Sequence, residues 1–350
     1  MKNLKIALLG ATGMVGVEYI EFLHRHPWFK ISNLCGKKSV GKKYGEAVKA
    51  LKNIPKEVAE IEVVEPDPKK IDADLVLSAL PSEAAREIEK QFVENGYPVV
   101  SEASAHRMEP DVPLIIPEVN PDHLELINMQ KKKRRDGGFI VTTPNCTAVG
   151  LIMSLKPLLD NFGIRKVVVA TYQAITGAGF PGVPSYSILG NIIPYIKNEE
   201  EKVSQETKKI LGRLENGRIK YAEFPVEASC ARVPTIDGHL EAVYIETEKT
   251  FDLDSVVESF RNFKGEPQTL GLPSAPSEPI ILTDLEDRPQ PRLDVMAGSV
   301  PGMSIVIGRI RRGESENSLK YFVLSHNRIR GAAGIAVLTA ELIYKKGYIG

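Results

Sequence analysis

Short apolar runs alternate with amphipathic stretches through the first 145 residues. Leu4–Leu9 is a compact apolar run and predicts a buried strand that feeds directly into glycine. Residues 14–25 carry a helical period, and residues 30–34 a second strand. Asp74–Leu80 predicts another strand, stopped by Pro81-Ser82. A helix over residues 82–95 follows and ends at Gly96. Pro98–Ser101 and residues 139–143 add two more short strands. Strands alternating with helices predict βαβ units and a parallel sheet.

From about residue 165 the pattern changes. Lys166–Tyr172, Ile219–Ala222, Leu240–Ile245, Met303–Gly308 and Tyr321–Ser325 read as strands without regular intervening helices. This predicts an α+β body with a largely antiparallel sheet. Residues 265–292 are proline-rich and are expected as an extended, ordered loop crossing a subunit boundary. Gly331–Gly334 leads into a small-residue helix over 335–345 that is expected to return to the first domain. The expected division is therefore 1–147, plus about 328–350, as one domain and 148–327 as the other.

Length supports two cores, since 350 residues exceed one ordinary domain. Apolar residues make up 43% and charged residues 26%, which are globular values. The formal net charge is zero, which gives no bias toward nucleic acid or an anionic membrane. The basic run Lys131–Arg135 is expected at a helix C-terminus, where cations offset the dipole. Three cysteines make no disulfide framework, no stretch is long and apolar enough to span a bilayer, and no signal peptide is apparent. A cytoplasmic protein is expected.

Three features carry chemistry. Gly10-Ala11-Thr12-Gly13-Met14-Val15-Gly16 sits between the first strand and the first helix. Glycines there let the backbone approach a pyrophosphate resting on free N–H groups, so a Rossmann-type domain is expected. The second strand ends without an acidic residue for a ribose 2′-OH. Lys37, Lys38 and Ser39 suit a 2′-phosphate instead, favouring NADP over NAD. Cys146 stands at a strand-to-helix junction behind Pro144-Asn145. A thiol at a helix N-terminus is expected to have a lowered pKa and to act as a nucleophile. Such a thiol needs a proton acceptor. Of six histidines, His24, His26, His106, His123 and His326 are expected at the surface, whereas His239 just precedes a strand. Cys35 and Cys230 are expected to be inert packing residues. No ligand spacing for a metal is present.

Taken together, Gly10–Gly16, Thr143–Thr147, Gln173–Gly179, Arg232 with His239, and Asn327–Gly334 resemble the aspartate-β-semialdehyde dehydrogenase family, in its archaeal and fungal branch. The resemblance spans nearly the whole chain. It implies an α/β fold with a catalytic and dimerisation domain, and a homodimer or homotetramer. It implies NADP-dependent interconversion of L-aspartyl 4-phosphate and L-aspartate 4-semialdehyde through a Cys146 thioester, a step in making lysine, threonine, methionine and isoleucine.

By the same resemblance His239 is the acid/base and Gln173 orients the substrate. Arg232 grips the α-carboxylate and Glu199 the ammonium, while Arg107, Lys202 and Asn145 serve phosphate. Gly10, Thr12, Gly13, Met14, Val15, Gly16, Ser78, Thr176, Gly177 and Asn327 line the cofactor. Serine is commoner than threonine at position 176. The three cations are expected to lower the Cys146 pKa further. Malonyl-CoA reductase shares this fold and thioester logic, and N-acetyl-glutamyl-phosphate reductase is a more distant rival. From other classes, a thiol acyl-transferase or hydrolase and a non-catalytic dinucleotide sensor remain. The glycine loop speaks against the first, and the Asn145-Cys146, Gln173 and Arg232/His239 set against the second.

Overall fold

The computed structural model describes residues 3–48, 54–134 and 137–350. Its first sheet is made of β1 (Leu4–Leu9), β2 (Phe29–Cys35), β3 (Val63–Val64), β4 (Leu75–Ser78), β5 (Pro98–Ser101) and β6 (Phe139–Thr142). The order is β3-β2-β1-β4-β5-β6, parallel throughout. This is the doubly wound arrangement that places a ligand at the strands' C-terminal ends. Helix α1 (Met14–Leu23) follows β1, and α2 (Ser82–Glu94) follows β4. Helix α3 (Leu126–Lys133) precedes β6 and carries Lys131, Lys132 and Lys133 in its last turn. Arg135, the end of that basic run, lies outside the described residues.

Helix α4 (Cys146–Phe162) leaves β6 and covers the second sheet. That sheet is built from β7 (Lys166–Gln173), β10 (Val226–Arg232), β11 (His239–Glu246), β12 (Ile280–Thr283), β13 (Ile305–Arg312) and β14 (Ser318–Ser325). Its order is β10-β7-β11-β14-β13-β12. The three central pairings are antiparallel and the two outer ones parallel. Strand β11 alternates buried and half-buried positions, because one face lies under α4.

Some local expectations change. Ile219 is not part of this sheet. It sits in a separate hairpin of β8 (Arg213–Glu215) and β9 (Arg218–Lys220). The proline-rich stretch is not simply a loop, since it contributes β12 and one-turn helices at Glu266–Leu270 and Pro291–Asp294. Helix α5 (Glu199–Ile210) bears on the site, and α6 (Leu253–Arg261) packs in the second core, with Val256 and Phe260 buried there. The last helix, α7 (Gly334–Lys345), is buried on every side from Gly334 to Ile343. It contributes Ala336, Val337, Ala340 and Ile343 to the same core as Ile6 and Leu8 of β1 and Tyr19 and Ile20 of α1.

Candidate active site

The glycine loop is a bare backbone cradle. Gly10 has φ +74°, and a Cβ there would stand 2.6 Å from the Ala79 carbonyl oxygen. A Cβ at Gly16 would stand 2.3 Å from the Ala11 carbonyl. Gly13 caps α1 without any side-chain bond, and no acidic residue occupies the first turn. The open N–H groups of Met14, Val15 and Gly16 and the dipole therefore face outward for an anion. The loop after β2 lies alongside, since a Cβ on Gly36 would stand 3.4 Å from Thr12 Oγ1. Lys37 and Lys38 there are exposed and Ser39 half-buried. Ser78 closes β4 and is fully buried.

The second sheet explains how distant residues meet. Gln173 and Arg232 are register partners at the C-terminal ends of parallel β7 and β10. His239 starts antiparallel β11 at that same edge, opposite Ser325 at the end of β14. The edge thus collects Gln173, Arg232, His239 and the segment entering Asn327. Helix α4 delivers Cys146 to it from the other sheet. His239 Nε2 lies 3.3 Å from Cys146 Sγ. The Ala174 N–H donates to His239 Nδ1 at 3.1 Å, and Arg232 donates to the Ala174 carbonyl at 2.7 Å. Gly177 packs over both side chains, because a Cβ there would stand 2.7 Å from Arg232 Nη1 and 3.1 Å from the His239 ring. With Nδ1 accepting from Ala174, the neutral ring carries its proton on Nε2, toward the sulfur.

The expected low thiol pKa is not found. Burial pushes Cys146 up to about 12, and the Glu199 carboxylate adds to that; Arg107 and Arg232 pull the other way and are outweighed. The dipole is already engaged. Asn145 Oδ1 caps α4 by accepting from Thr147 N–H at 2.9 Å and Ala148 N–H at 3.2 Å. Glu206 accepts from the Asn145 N–H at 2.6 Å. Two carboxylates near the helix start therefore replace the bare positive end assumed from sequence. His239 is displaced as well: burial first, then Arg232, lowers its pKa to about 3.

Helix α5 turns one face toward the candidate site. Glu199 accepts from Asn145 Nδ2 at 3.0 Å, and Lys202 Nζ lies 4.0 Å from Glu199. Glu206, one turn further, accepts from Arg107 Nη1 at 3.0 Å. Lys209, fully buried, donates to the carbonyls of Arg107, Glu109 and Val112 at 2.6, 2.9 and 2.9 Å. Desolvation lowers its pKa to about 8. The sequence reading missed Glu206 and Lys209. Their signal was present as the i, i+3, i+7, i+10 spacing from Glu199, which puts all four on one helix face.

Gln173 is buried, and its amide donates to Thr171 Oγ1 at 3.2 Å. Asn327 donates to Thr176 Oγ1 at 3.0 Å and accepts from Gly238 N–H at 2.9 Å, so both residues border the His239 turn. The histidines expected at the surface include four that packing conceals. The His26 side chain is buried against Glu341 of α7 at 2.8 Å. His106, His123 and His326 are buried too. Their polar neighbours in sequence gave no hint of the elements that cover them. Among the described residues, no helix is long and apolar enough to cross a membrane.

Residues 5–127 match the family described as semialdehyde dehydrogenase, NAD binding domain, and residues 155–330 match its dimerisation domain. The chain is 52% identical to an aspartate-semialdehyde dehydrogenase of Archaeoglobus fulgidus, over 98% of this chain and 99% of that one. It is 45% identical to a malonyl CoA reductase (NADP) of Metallosphaera sedula, over 99% of each. The crystal structure of aspartate semialdehyde dehydrogenase with NADP from Candida albicans superposes with a TM-score of 0.92 at 39% identity, covering 99% of this chain and 100% of that one.

Proposed function

The chain belongs to the semialdehyde dehydrogenase family, and from that premise we infer that it is an NADP-dependent enzyme interconverting L-aspartyl 4-phosphate and L-aspartate 4-semialdehyde. It is an oxidoreductase of amino-acid biosynthesis. The observation that carries the reading is the meeting of Cys146 and His239 at 3.3 Å beside Arg107, Arg232 and Glu199.

In the reductive direction the Cys146 sulfur attacks the acyl-phosphate carbon, and the carbon–oxygen bond to phosphate breaks. The acyl group is left as a thioester. NADP, in its reduced form when bound, supplies the hydride that converts this to a hemithioacetal, which collapses to the aldehyde and frees the sulfur. The chain's residues prepare each stage. Arg232 holds the α-carboxylate with its planar donor fork. Glu199 holds the ammonium. Arg107, Lys202 and Asn145 hold phosphate, with Glu206 and Lys209 fixing Arg107 and its loop. Gln173 orients the bound acyl group.

His239 is the acid/base facing Cys146. With Nδ1 on the Ala174 N–H, its Nε2–H donates to an anion on sulfur or on the tetrahedral oxygen. In the other tautomer, with the proton on Nδ1, Nε2 accepts the Cys146 proton and leaves thiolate and imidazolium.

For the cofactor we assign Gly10, Thr12, Gly13, Met14, Val15 and Gly16 to the pyrophosphate. Lys37, Lys38 and Ser39 take the 2′-phosphate, and Ser78, Thr176, Gly177 and Asn327 the nicotinamide side. We place the domain division at 1–147 plus about 328–350 against 148–327. Two copies pair through the second sheet's side of the chain, where β7 shows Tyr172 and the segment after it exposes Phe180, Tyr186, Leu189, Ile192 and Tyr195, as a homodimer or a tetramer of two such pairs. Three free cysteines suit the reducing cytoplasm.

Malonyl-CoA reduction is the second reading, because a relative of that name matches over 99% of the chain. Glu199 favours the aminated substrate. A paired assay decides. Phosphate-dependent NADP reduction with aspartate semialdehyde is expected to exceed NADPH oxidation with malonyl-CoA by about 10² or more in kcat/KM. The reverse order overturns the assignment.

A further inference from the structure

Arg328 joins three parts of the site that are far apart in sequence. Its Nε and Nη2 donate to the two carboxylate oxygens of Asp237 at 2.7 and 2.6 Å, a bidentate grip. Asp237 lies two residues before His239 and also accepts from the Thr176 hydroxyl at 2.8 Å. Arg328 Nη1 donates to Glu18. Glu18 is buried on α1, two residues past Gly16 and one turn from the open N–H groups of the cradle.

The residues that follow reach the nucleophile. Ile329–Ala333 forms a π-helical turn, a form frequent at functional sites. Gly331 in that turn lies against Cys146: a Cβ there would stand 2.8 Å from Cys146 Cβ and 2.9 Å from its Cα. Arg330, fully buried, holds both carboxylate oxygens of Glu118 at 2.9 and 2.6 Å and pins the turn from the far side. The segment 327–331 therefore touches the cofactor helix, the turn before His239 and the sulfur-bearing residue at once.

We propose that Arg328 is a positioning residue that couples NADP occupancy of the glycine loop to the reactivity of Cys146, by holding α1, the Asp237–His239 turn and the Gly331 contact as one unit. The inference rests on the NADP reading above and goes beyond it. Pyrophosphate on the N-terminus of α1 fixes that helix, and Glu18 moves with it. Arg328 passes the constraint to Asp237, hence to His239, and through the π-helical turn to Cys146. Without the guanidinium, the Glu18 and Asp237 carboxylates lose their shared cation and repel, which frees the turn from α1. Arg328 also anchors Glu18 on the helix that carries the cradle, so the same contact contributes to NADP affinity.

The test uses the full chain and needs no turnover. NADP affinity is measured by titration calorimetry. Cys146 alkylation by iodoacetamide is followed by mass spectrometry, with and without saturating NADP. In the natural chain NADP is expected to change the alkylation rate by about fivefold or more, and in Arg328→Met by less than about twofold, with NADP binding weakened about tenfold. Arg328→Lys, which keeps a point charge without the fork, is expected to recover part of both. Glu18→Gln leaves the Asp237 grip and the nucleophile in place. It is expected to shrink the NADP effect while leaving alkylation without NADP unchanged, which separates coupling from misfolding. The same NADP effect in Arg328→Met as in the natural chain, the result given by simple shielding of the sulfur, overturns the inference. Absence of NADP binding to the natural chain removes the cofactor reading itself and this inference with it.

Discussion

The proposed cofactor cradle and the proposed catalytic edge are built from opposite materials. The cradle is seven consecutive residues acting through backbone N–H groups, and its side chains matter mainly by being absent at Gly10 and Gly16. The catalytic edge acts almost wholly through side chains, which arrive from the loop holding Arg107, the start of α4, the ends of β7 and β10, the start of β11 and one face of α5. A site made of backbone is encoded locally and tolerates distant change. A site made of side chains inherits the register of every strand that delivers one.

The contrast is sharpest at the nucleophile. Cys146→Ala is expected to lower kcat by about 10⁴-fold or more while NADP affinity stays within about twofold. Near-normal turnover in a steady-state assay would refute the thioester route, and lost NADP binding would blur the two regions. His239→Ala is expected to cut kcat by roughly 10²–10⁴. A small effect at every pH moves proton transfer to another group.

Gly16→Ala probes the other side. The new Cβ meets the Ala11 carbonyl at 2.3 Å, and NADP affinity is expected to fall about 100-fold, with the Cys146–His239 contact intact. Alkylation of Cys146 without NADP, measured beside the natural chain, should not change. Glu206→Gln is a milder probe of the edge. One amide cannot accept from both Arg107 and the Asn145 N–H, so KM for phosphate is expected to rise about tenfold with NADP affinity unchanged. An unaltered phosphate KM would remove Glu206 from the site.

The smallest effect concerns Glu241, buried on β11 two residues beyond His239, with neither carboxylate oxygen hydrogen-bonded. Burial raises its pKa well above 4.5, so the folded chain keeps it protonated. Its stabilisation is complete below about pH 4.5 and is lost as pH rises toward the folded value, because the unfolded chain ionises. Glu241→Gln removes that ionisation. It is expected to raise Tm by about 2–4 °C at pH 8 and to change it little at pH 4. An equal shift at both pH values would show that the carboxyl is not protonated in the fold.

These differences explain what could be read beforehand. The first sheet and its glycine loop were visible because strand, loop and helix are adjacent in sequence and each obeys its own period. The second sheet was visible as strands, but the edge it builds depends on pairings such as Gln173 with Arg232 and His239 with Ser325, which no local pattern carries. Ile219 looked like a sheet member because a three-residue hairpin strand and an edge strand share one composition. Resemblance supplied Arg107, Gln173, Glu199, Lys202 and Arg232; local pattern alone would have left each as a surface or strand-end residue. Cys146 was found for a reason that proved incomplete. Its helix-start position was read correctly, whereas Asn145, Glu199 and Glu206 occupy the electrostatic advantage that position was assumed to give. Those partners lie up to 61 positions away, beyond any motif.

The contact between Gly331 and Cys146 also orders events during synthesis. The nucleophile emerges from the ribosome some 185 residues before the turn that seats it, as the sequence positions 146 and 331 give. Until α7 enters the first core, nothing presses on the Cys146 backbone from that side, and neither Asp237 nor Glu18 has its arginine. Until residue 331 has been made and seated, Cys146 therefore lacks the neighbour that packs against its backbone.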